Sequence, residues 1–346
     1  DLISAMDVSA GEDGEREREE VIEEKIKTTF ATTYPKDKFE VWIGSDCSSD
    51  RTDEIIKSFL PEFPNLHFIR FDDRTGKPQI INELAKKCTA DVLALTDADT
   101  FFDPFTLPKL VAPFAKKEVG GVQAHMISVA KPGEKIAAYE VRYYNWEMNI
   151  KKGESQHGSI IGAMGSLFAL RSSLYVPVPK GFISDDFFIF MQVLRQGFTT
   201  VYAEEASCLM VVSGQSDVQF RRKARISQGN FQNFGYFTDF LNPFRNFKSF
   251  AYVSHKVLRW VTPFLMIAAF LLNAVLAVWN NFYEILFYLQ VLFYALAAVN
   301  FLLQKIGIKL KPLRFIHHFV WMNFGLLAGF WRYTMTNSDG TWSNKK

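Results

Sequence analysis

Along the first hundred residues the apolar positions fall in short runs separated by polar turns, the pattern of buried strands alternating with amphipathic helices. Ile3–Ala10 predicts a weak first strand, and a run rich in acids and arginines, Glu12–Glu20, leads into Val21, Ile22 and Ile26, which are spaced for one face of a helix. Phe39–Gly44 is a second strand of strong β formers, and Asp53–Leu60 is a helix behind the turn-forming residues Ser45–Thr52. Leu66–Phe71 is a third strand, Gln79–Lys87 a helix, and Val92–Leu95 a short apolar run of the kind found in central parallel strands. Strand and helix in alternation predict a doubly wound α/β unit, which binds ligands at the C-terminal mouths of its strands.

The pattern changes near Phe231. Phe231, Phe234, Tyr236, Phe237, Phe240, Phe244, Phe247 and Phe250 are interleaved with Asn, Arg and Lys, as in helices lying at a lipid headgroup boundary. Val257–Trp279 and Phe282–Leu303 are then long enough to span a bilayer. Phe315–Phe330 is shorter and carries His317, His318, Asn323, Gly325 and Gly329, so it spans or dips in and returns. The expected layout is a catalytic domain over 1–230, interfacial helices over 231–256, transmembrane helices over 257–334 and a tail over 335–346. Lys248 and Lys256 precede the first apolar segment and Arg259 stands at its start, Asn280 and Asn281 follow it with Glu284 at the start of the second, and Lys305, Lys309, Lys311 and Arg314 follow the second. The positive-inside rule then puts the N-terminal domain in the cytoplasm of a multi-pass membrane protein.

Charge narrows the partners. A net charge of +2, from 39 basic and 37 acidic residues, gives no global field for nucleic acid. Cys47, Cys88 and Cys208 have no metal-ligand spacing and read as small buried hydrophobes in a reduced compartment. The chain opens at Asp1 with no apolar run ahead of it, which leaves an upstream segment open.

Two acidic motifs carry the candidate chemistry. Asp97 and Asp99 follow the run Val92–Leu95, so two carboxylates one residue apart stand at a strand mouth, where they suit a hard divalent cation shared with a diphosphate. Acidic turns after strands are common, and the motif takes its weight from its surroundings. Asp185 and Asp186 head an apolar helix, Phe187–Leu194, whose N-terminus favours negative charge. Arg222 and Arg225, three apart, share a helix face and suit either one diphosphate or a membrane surface. Gly162-Ala163-Met164-Gly165-Ser166 supplies small residues where backbone approaches a ligand closely.

SDCSSDRT at 45–52, TGKPQIINEL at 75–84 and TDADTFFDP at 96–104 resemble, in order and spacing, the nucleotide-sugar half of family-2 glycosyltransferases with the GT-A fold. The stretches 160–175, 183–202 and 220–232 resemble the acceptor half of the membrane-embedded members, which include cellulose, chitin and hyaluronan synthases. The resemblance implies a nucleotide-sugar donor, usually a UDP-sugar, and a polysaccharide or lipid acceptor at a membrane such as the bacterial inner membrane. By the same resemblance Asp46 contacts the base or ribose, and Lys77 lies beside the nucleotide. Asp99, supported by Asp97, holds Mg²⁺ or Mn²⁺; Gly165 floors the acceptor pocket; Arg222 and Arg225 approach the diphosphate. Asp186 is the general base of an inverting displacement and Asp185 shapes its site.

Two departures qualify the resemblance. Glu15–Glu20 replaces the family's Asn-Glu-Glu turn after the first strand, so no nucleotide contact is carried there. Ile226 stands where the family has a tryptophan associated with stacking on the acceptor sugar, which lowers the expectation of long processive synthesis and keeps a lipid acceptor in play. Polymer export by so few spans would need an oligomer or a partner. The segment Thr341-Trp342-Ser343 resembles a family tail that returns to the catalytic domain, at odds with three full spans. The competing reading is an inactive nucleotide-sugar-binding module that regulates a partner synthase, resting on the weak first strand.

Overall fold

The computed structural model describes residues 1–8, 18–130, 137–212, 216–305 and 310–335. They form two compact units, the first built from Asp1–Val218 with Tyr236–Val253 and the second from Gln219–Gly235 with Ser254–Thr336.

In the first unit the order is β1 (Leu2–Val8), α1 (Arg18–Phe30), β2 (Phe39–Asp46), α2 (Thr52–Phe59), β3 (Leu66–Phe71), α3 (Lys77–Lys87) and β4 (Val92–Asp97). There follow β5 (Thr100–Phe102), α4 (Thr106–Val111), β6 (Val119–Ala130), α5 (Ala137–His157), β7 (Leu167–Arg171), α6 (Asp185–Arg195) and β8 (Thr199–Val212). All eight strands join one sheet in the order β3-β2-β1-β4-β7-β6-β8-β5. Strands β1 to β4 are mutually parallel, β7 runs antiparallel to β4 and β6, β6 and β8 are parallel, and β5 closes antiparallel on β8. The doubly wound half expected from the sequence is thus extended by a mixed half.

Strand β1 corrects the reading of a weak first strand. It pairs on both sides, Leu2 to Val8 against Phe39 to Ser45 of β2 and Leu2 to Asp7 against Val92 to Asp97 of β4. Leu2, Ile3, Ala5 and Met6 are buried together with Ser4. A strand covered on both faces needs no alternation of apolar and polar residues, which is why Leu-Ile-Ser-Ala-Met looked poor by periodicity. Helix α1 follows the predicted spacing, with Val21, Ile22 and Ile26 buried. Residues 9–17, including most of the charged run, lie outside the described residues. Two strands outrun their predicted ends: β2 continues from Gly44 to Asp46 and β4 from Leu95 to Asp97, so each finishes on an acid at the same edge of the sheet.

The cysteines are free thiols, and only Cys208 is fully buried; Cys47 and Cys88 are half-buried, so the uniform core reading holds for one of them. Cys47 takes a left-handed φ of 56° just after β2, in a tight turn that accounts for its partial exposure.

Helix α7 (Ser216–Tyr236) lies mostly in the second unit, and α8 (Phe247–Ala251) leads through a π-helical turn into α9 (Leu258–Leu276). Helices α10 (Asn281–Lys305) and α11 (Lys311–Met335) complete that unit. The continuous run Phe247–Leu276 and the helix Asn281–Gln304 are long and apolar enough to cross a membrane. The aromatic stretch has two characters: Phe231, Phe237 and Phe240 are buried, whereas Phe244 is 96% and Phe250 54% exposed. Phe231 packs on Phe264 and Phe330 with ring centroids 6.2 and 5.0 Å apart, so it is a core residue of the second unit rather than an interfacial one. The tail motif Thr341-Trp342-Ser343 lies outside the described residues.

Helices α7 and α11 touch at backbone distance. A Cβ at Gly329 would fall 2.4 Å from the Ala224 carbonyl oxygen and 2.4 Å from Ser227 Cβ, and Ser227 Oγ donates to the Leu326 carbonyl at 2.8 Å. Backbone cannot yield as a flexible side chain does, so Gly329→Leu must push the helices apart. The expected cost is about 1–3 kcal/mol, read as a lowered thermal midpoint in detergent, while Gly153→Ala, whose Cβ meets nothing within 4 Å inside α5, keeps or slightly raises the midpoint.

Candidate active site

The site is assembled at the C-terminal edge of the parallel strands. Strand β4 is buried from Val92 to Thr96 and delivers Asp97, half-buried, to its mouth; Asp99 is exposed in the turn that leads to β5. Lys77 is the first residue of α3 and follows Gly76, whose φ of 82° turns the chain sharply into the helix. Asp46 fixes that turn, accepting hydrogen bonds from the backbone N–H of Thr75 at 2.6 Å and Gly76 at 3.1 Å. It is a buried brace for the loop that presents Lys77, not a cap for its own helix. Asp53 is a second buried acid in this region, held by Ser45 Oγ at 2.6 Å and Arg70 Nη1 at 2.8 Å.

Lys77 ties the two acidic motifs together. Its Nζ is 2.6 Å from Asp97 Oδ1 and 3.9 Å from Asp185 Oδ2. Burial alone would lower the Lys77 pKa, but the carboxylates of Asp185, Asp97 and Asp186 outweigh it and hold the ammonium firmly charged. Asp185 is buried and Asp186 half-buried at the head of α6. Asp186 Oδ1 accepts from the Phe187 N–H at 2.7 Å. Burial and the neighbouring Asp185 charge push the Asp186 carboxyl up to about 6, against the opposing pull of Lys77 and the Phe187 N–H. A carboxylate so placed is a poised proton acceptor near neutral pH.

The wall facing these acids is the loop before β7. A Cβ at Gly165 would come 2.9 Å from Asp97 Oδ2 and 3.4 Å from Lys77 Nζ, so only glycine leaves the Asp97 carboxylate accessible there. Gly162 has a φ of 70° and lies against the Phe187 ring, where a Cβ would approach to 2.2 Å. Its carbonyl accepts a 2.6 Å hydrogen bond from the fully buried Lys151 of α5. Gln123 of β6 adds a further tie, accepting from the Met164 N–H at 2.7 Å.

The structure therefore brings Asp97, Asp185, Asp186, Lys77 and Gly165 into one cluster, with Asp46 behind the Lys77 loop and Asp99 at the adjoining turn. Arg222 and Arg225 belong to the second unit, half-buried and three apart on α7. Sequence reasoning missed Lys151 and also Lys25, a lysine with no exposure on α1. Lys25 Nζ donates to Thr96 Oγ1 at 2.9 Å and to the Thr100 carbonyl, and lies 3.7 Å from the centroid of the Phe102 ring. Burial pushes it down to about 7, opposed by Cys208, Asp99 and Asp97. The acidic half of α1 at positions 19, 20, 23 and 24 disguised both its buried face and this residue.

For a divalent cation the donor set is right in kind and incomplete in number. Asp97 and Asp99 offer hard carboxylate oxygens, with Asp97 Oδ2 turned toward the Gly165 wall. Among the described residues no cluster of three or more His, Cys, Asp or Glu could enclose a metal by itself. Two carboxylates with the remaining positions left to water and phosphate oxygens is the usual way a protein holds Mg²⁺ against a diphosphate.

A mixed sheet with acids at the mouths of its parallel half and a second acid pair at the head of a crossing helix defines the GT-A class of fold. Residues 16–175, a little under half of the chain, match the family described as glycosyl transferase family 2. A mannosyltransferase from Pyrobaculum calidifontis, solved with GDP-Man and Mn²⁺, superposes with a TM-score of 0.68 at 20% identity, covering 96% of this chain and 87% of that one. A beta-monoglucosyldiacylglycerol synthase of Synechocystis is 30% identical over 110 residues, 31% of this chain and 23% of that protein. A poly-beta-1,6-N-acetyl-D-glucosamine synthase of Staphylococcus aureus is 23% identical over 214 residues, 61% of this chain and 51% of that protein. The chain thus matches between about a quarter and about half the length of these two relatives.

Removing the central cation exposes what it offsets. Lys77→Met leaves Asp97, Asp185 and Asp186 together without a counter-charge, at an expected cost of about 2 kcal/mol after allowing for partial solvent screening. The loss has a defined pH dependence. A carboxyl whose folded pKa is raised contributes stability below its unfolded value and loses it as pH rises through the folded one. Asp186 already stands at about 6 and moves higher without Lys77. The thermal midpoint of Lys77→Met should therefore fall furthest below wild type near pH 8 and recover as pH is lowered below about 6.

Proposed function

We propose that the protein is an inverting glycosyltransferase of the membrane, moving a sugar from a nucleoside diphosphate donor to a lipid or polysaccharide acceptor. One observation carries the reading: the ammonium of Lys77 joins the acid at the mouth of β4 to the acid pair heading α6, so a donor-side and an acceptor-side carboxylate share one cleft.

Each residue has a task set by its surroundings. Lys77 presents positive charge where a diphosphate leaves, held in place by the loop that Asp46 braces. Asp186 takes the proton of the attacking acceptor hydroxyl, and Asp185 raises its basicity by repulsion while anchoring Lys77. The Gly162–Gly165 loop forms the acceptor wall, its glycines leaving room beside Asp97 and Phe187. A Mg²⁺ or Mn²⁺ held by Asp97 and Asp99 would supply Lewis acidity to the leaving diphosphate. A single displacement with one base inverts the anomeric centre.

Two helical runs of membrane-spanning length support a membrane location. With basic residues in the first turns of the first run and after the second, the catalytic domain faces the cytoplasm, where nucleotide sugars are made. The named relatives include one enzyme of a lipid acceptor and one of a polysaccharide, so both acceptor classes stand. An inactive regulatory module loses its footing, because β1, its sole support, is paired on both sides.

Detergent-purified protein, given a panel of UDP- and GDP-sugars with Mn²⁺ or Mg²⁺ and diacylglycerol or oligosaccharide acceptors, should release nucleoside diphosphate and form a product of inverted configuration. No turnover across the panel by protein that binds a donor would instead favour a binding module. Asp186→Asn should lower kcat by about 10³-fold while donor affinity stays within a factor of about two, and retained turnover removes Asp186 from the role. The rate of the wild-type enzyme should fall tenfold per pH unit below about 6, where Asp186 becomes protonated.

A further inference from the structure

We propose that Lys25, outside every motif of the active site, is the positioning residue that sets the turn bearing Asp97 and Asp99; the proposal rests on that turn being the donor site. The turn has two feet. Thr96 precedes Asp97 and Thr100 follows Asp99, and the one amino group of Lys25 donates to both, to the Thr96 hydroxyl at 2.9 Å and to the Thr100 carbonyl. The side chain comes from α1, its Nζ over the Phe102 ring of β5 at 3.7 Å. A single side chain thus fixes the separation of the two residues between which the acids are slung.

The contact also sets a direction. A lysine amino group toward Thr96 acts as a donor, so the Thr96 hydroxyl must turn its own hydrogen elsewhere. It donates to the Ser166 carbonyl at 2.7 Å, with the Asp97 carbonyl at 3.3 Å the poorer alternative. Ser166 follows Gly165, the residue that lies against Asp97 Oδ2. Lys25 therefore orients a relay from α1 through β4 to the acceptor wall, and the donor turn and that wall are held at one spacing. Without the amino group the Thr100 carbonyl loses this donor and the hydroxyl is free to rotate toward Asp97. Both anchors need a donor rather than a full charge, so the charge state of Lys25 does not decide the argument.

The test separates positioning from folding. Wild type and Lys25→Met, similar in shape but without donors, are titrated calorimetrically with UDP and with GDP in the presence and absence of Mn²⁺, alongside thermal melts. In folded Lys25→Met the Mn²⁺-dependent affinity for the nucleotide should fall about tenfold or more, as when a group orienting a ligand is lost, while metal-free affinity changes less than about twofold. Equal Mn²⁺-dependent affinity in wild type and folded Lys25→Met overturns the proposal, whatever happens to the melting midpoint. If Lys25→Met does not fold, Thr96→Val takes its place, since it keeps the lysine and the shape but cuts the relay. Weakened Mn²⁺-dependent binding then supports the proposal and unchanged binding overturns it. Wild type that binds neither nucleotide with Mn²⁺ overturns the donor-site reading and this proposal together, and is told apart from failure of the proposal alone by the wild-type titration.

Discussion

Three carboxylates cannot share a small, largely buried space unless something offsets their repulsion, and in this protein the offset is one ammonium group. Lys77 reaches Asp97 at 2.6 Å and Asp185 at 3.9 Å, and its field restrains the rise of the Asp186 carboxyl. Much of the first unit serves to bring that lysine to the place. Asp46 closes the loop before it, Gly76 provides the left-handed turn, and the N-terminal turn of α3 carries it forward. The same lysine couples the two halves of the sheet electrostatically, because Asp97 ends a parallel strand and Asp185 heads a helix that enters the mixed half.

The local pattern exposed most of the parallel half because short apolar runs between turn residues have few other readings. Leu66–Phe71 was legible to the residue, and Phe39–Gly44 and Val92–Leu95 each lacked only the last two residues of the strand, the second of them an acid. Those acids were read as belonging to turns, because a polar residue at a strand end carries no periodic signal. Strand β1 was underrated for the opposite reason: burial on both faces erases alternation. The insertion of β7 between β4 and β6 was not legible, since a strand's own sequence does not say which neighbour it pairs with.

For the candidate site, the residues that mark it by type were visible and those that hold it were not. Asp97, Asp99, Asp185 and Asp186 stand out as acids at element ends, and the resemblance carried Asp46 and Lys77. The structure gives Asp46 a bracing task that its spacing to Thr75 and Gly76, some thirty positions on, could not reveal. Lys25 and Thr96 are separated by 71 positions, and a lysine among glutamates on an amphipathic helix reads as a solvated side chain. Lys151, on a helix rich in charges and aromatics, was hidden in the same way.

The two hidden lysines answer one structural problem. A loop at a sheet mouth leaves carbonyls beyond the reach of the strand ladder, and a buried carbonyl without a donor is costly. The carbonyls of Thr100, where the Asp97–Asp99 turn enters β5, and of Gly162, in the loop before β7, are each met by a lysine on a helix, Lys25 and Lys151 respectively. A lysine stem is long and apolar enough to cross packed side chains and end in donors only. Burying it is expensive in isolation, as the lowered pKa of Lys25 records, yet the carboxylates above it recover part of that cost. Asp97 and Asp99 therefore also stabilise the lysine whose hydrogen bonds fix the turn that bears them.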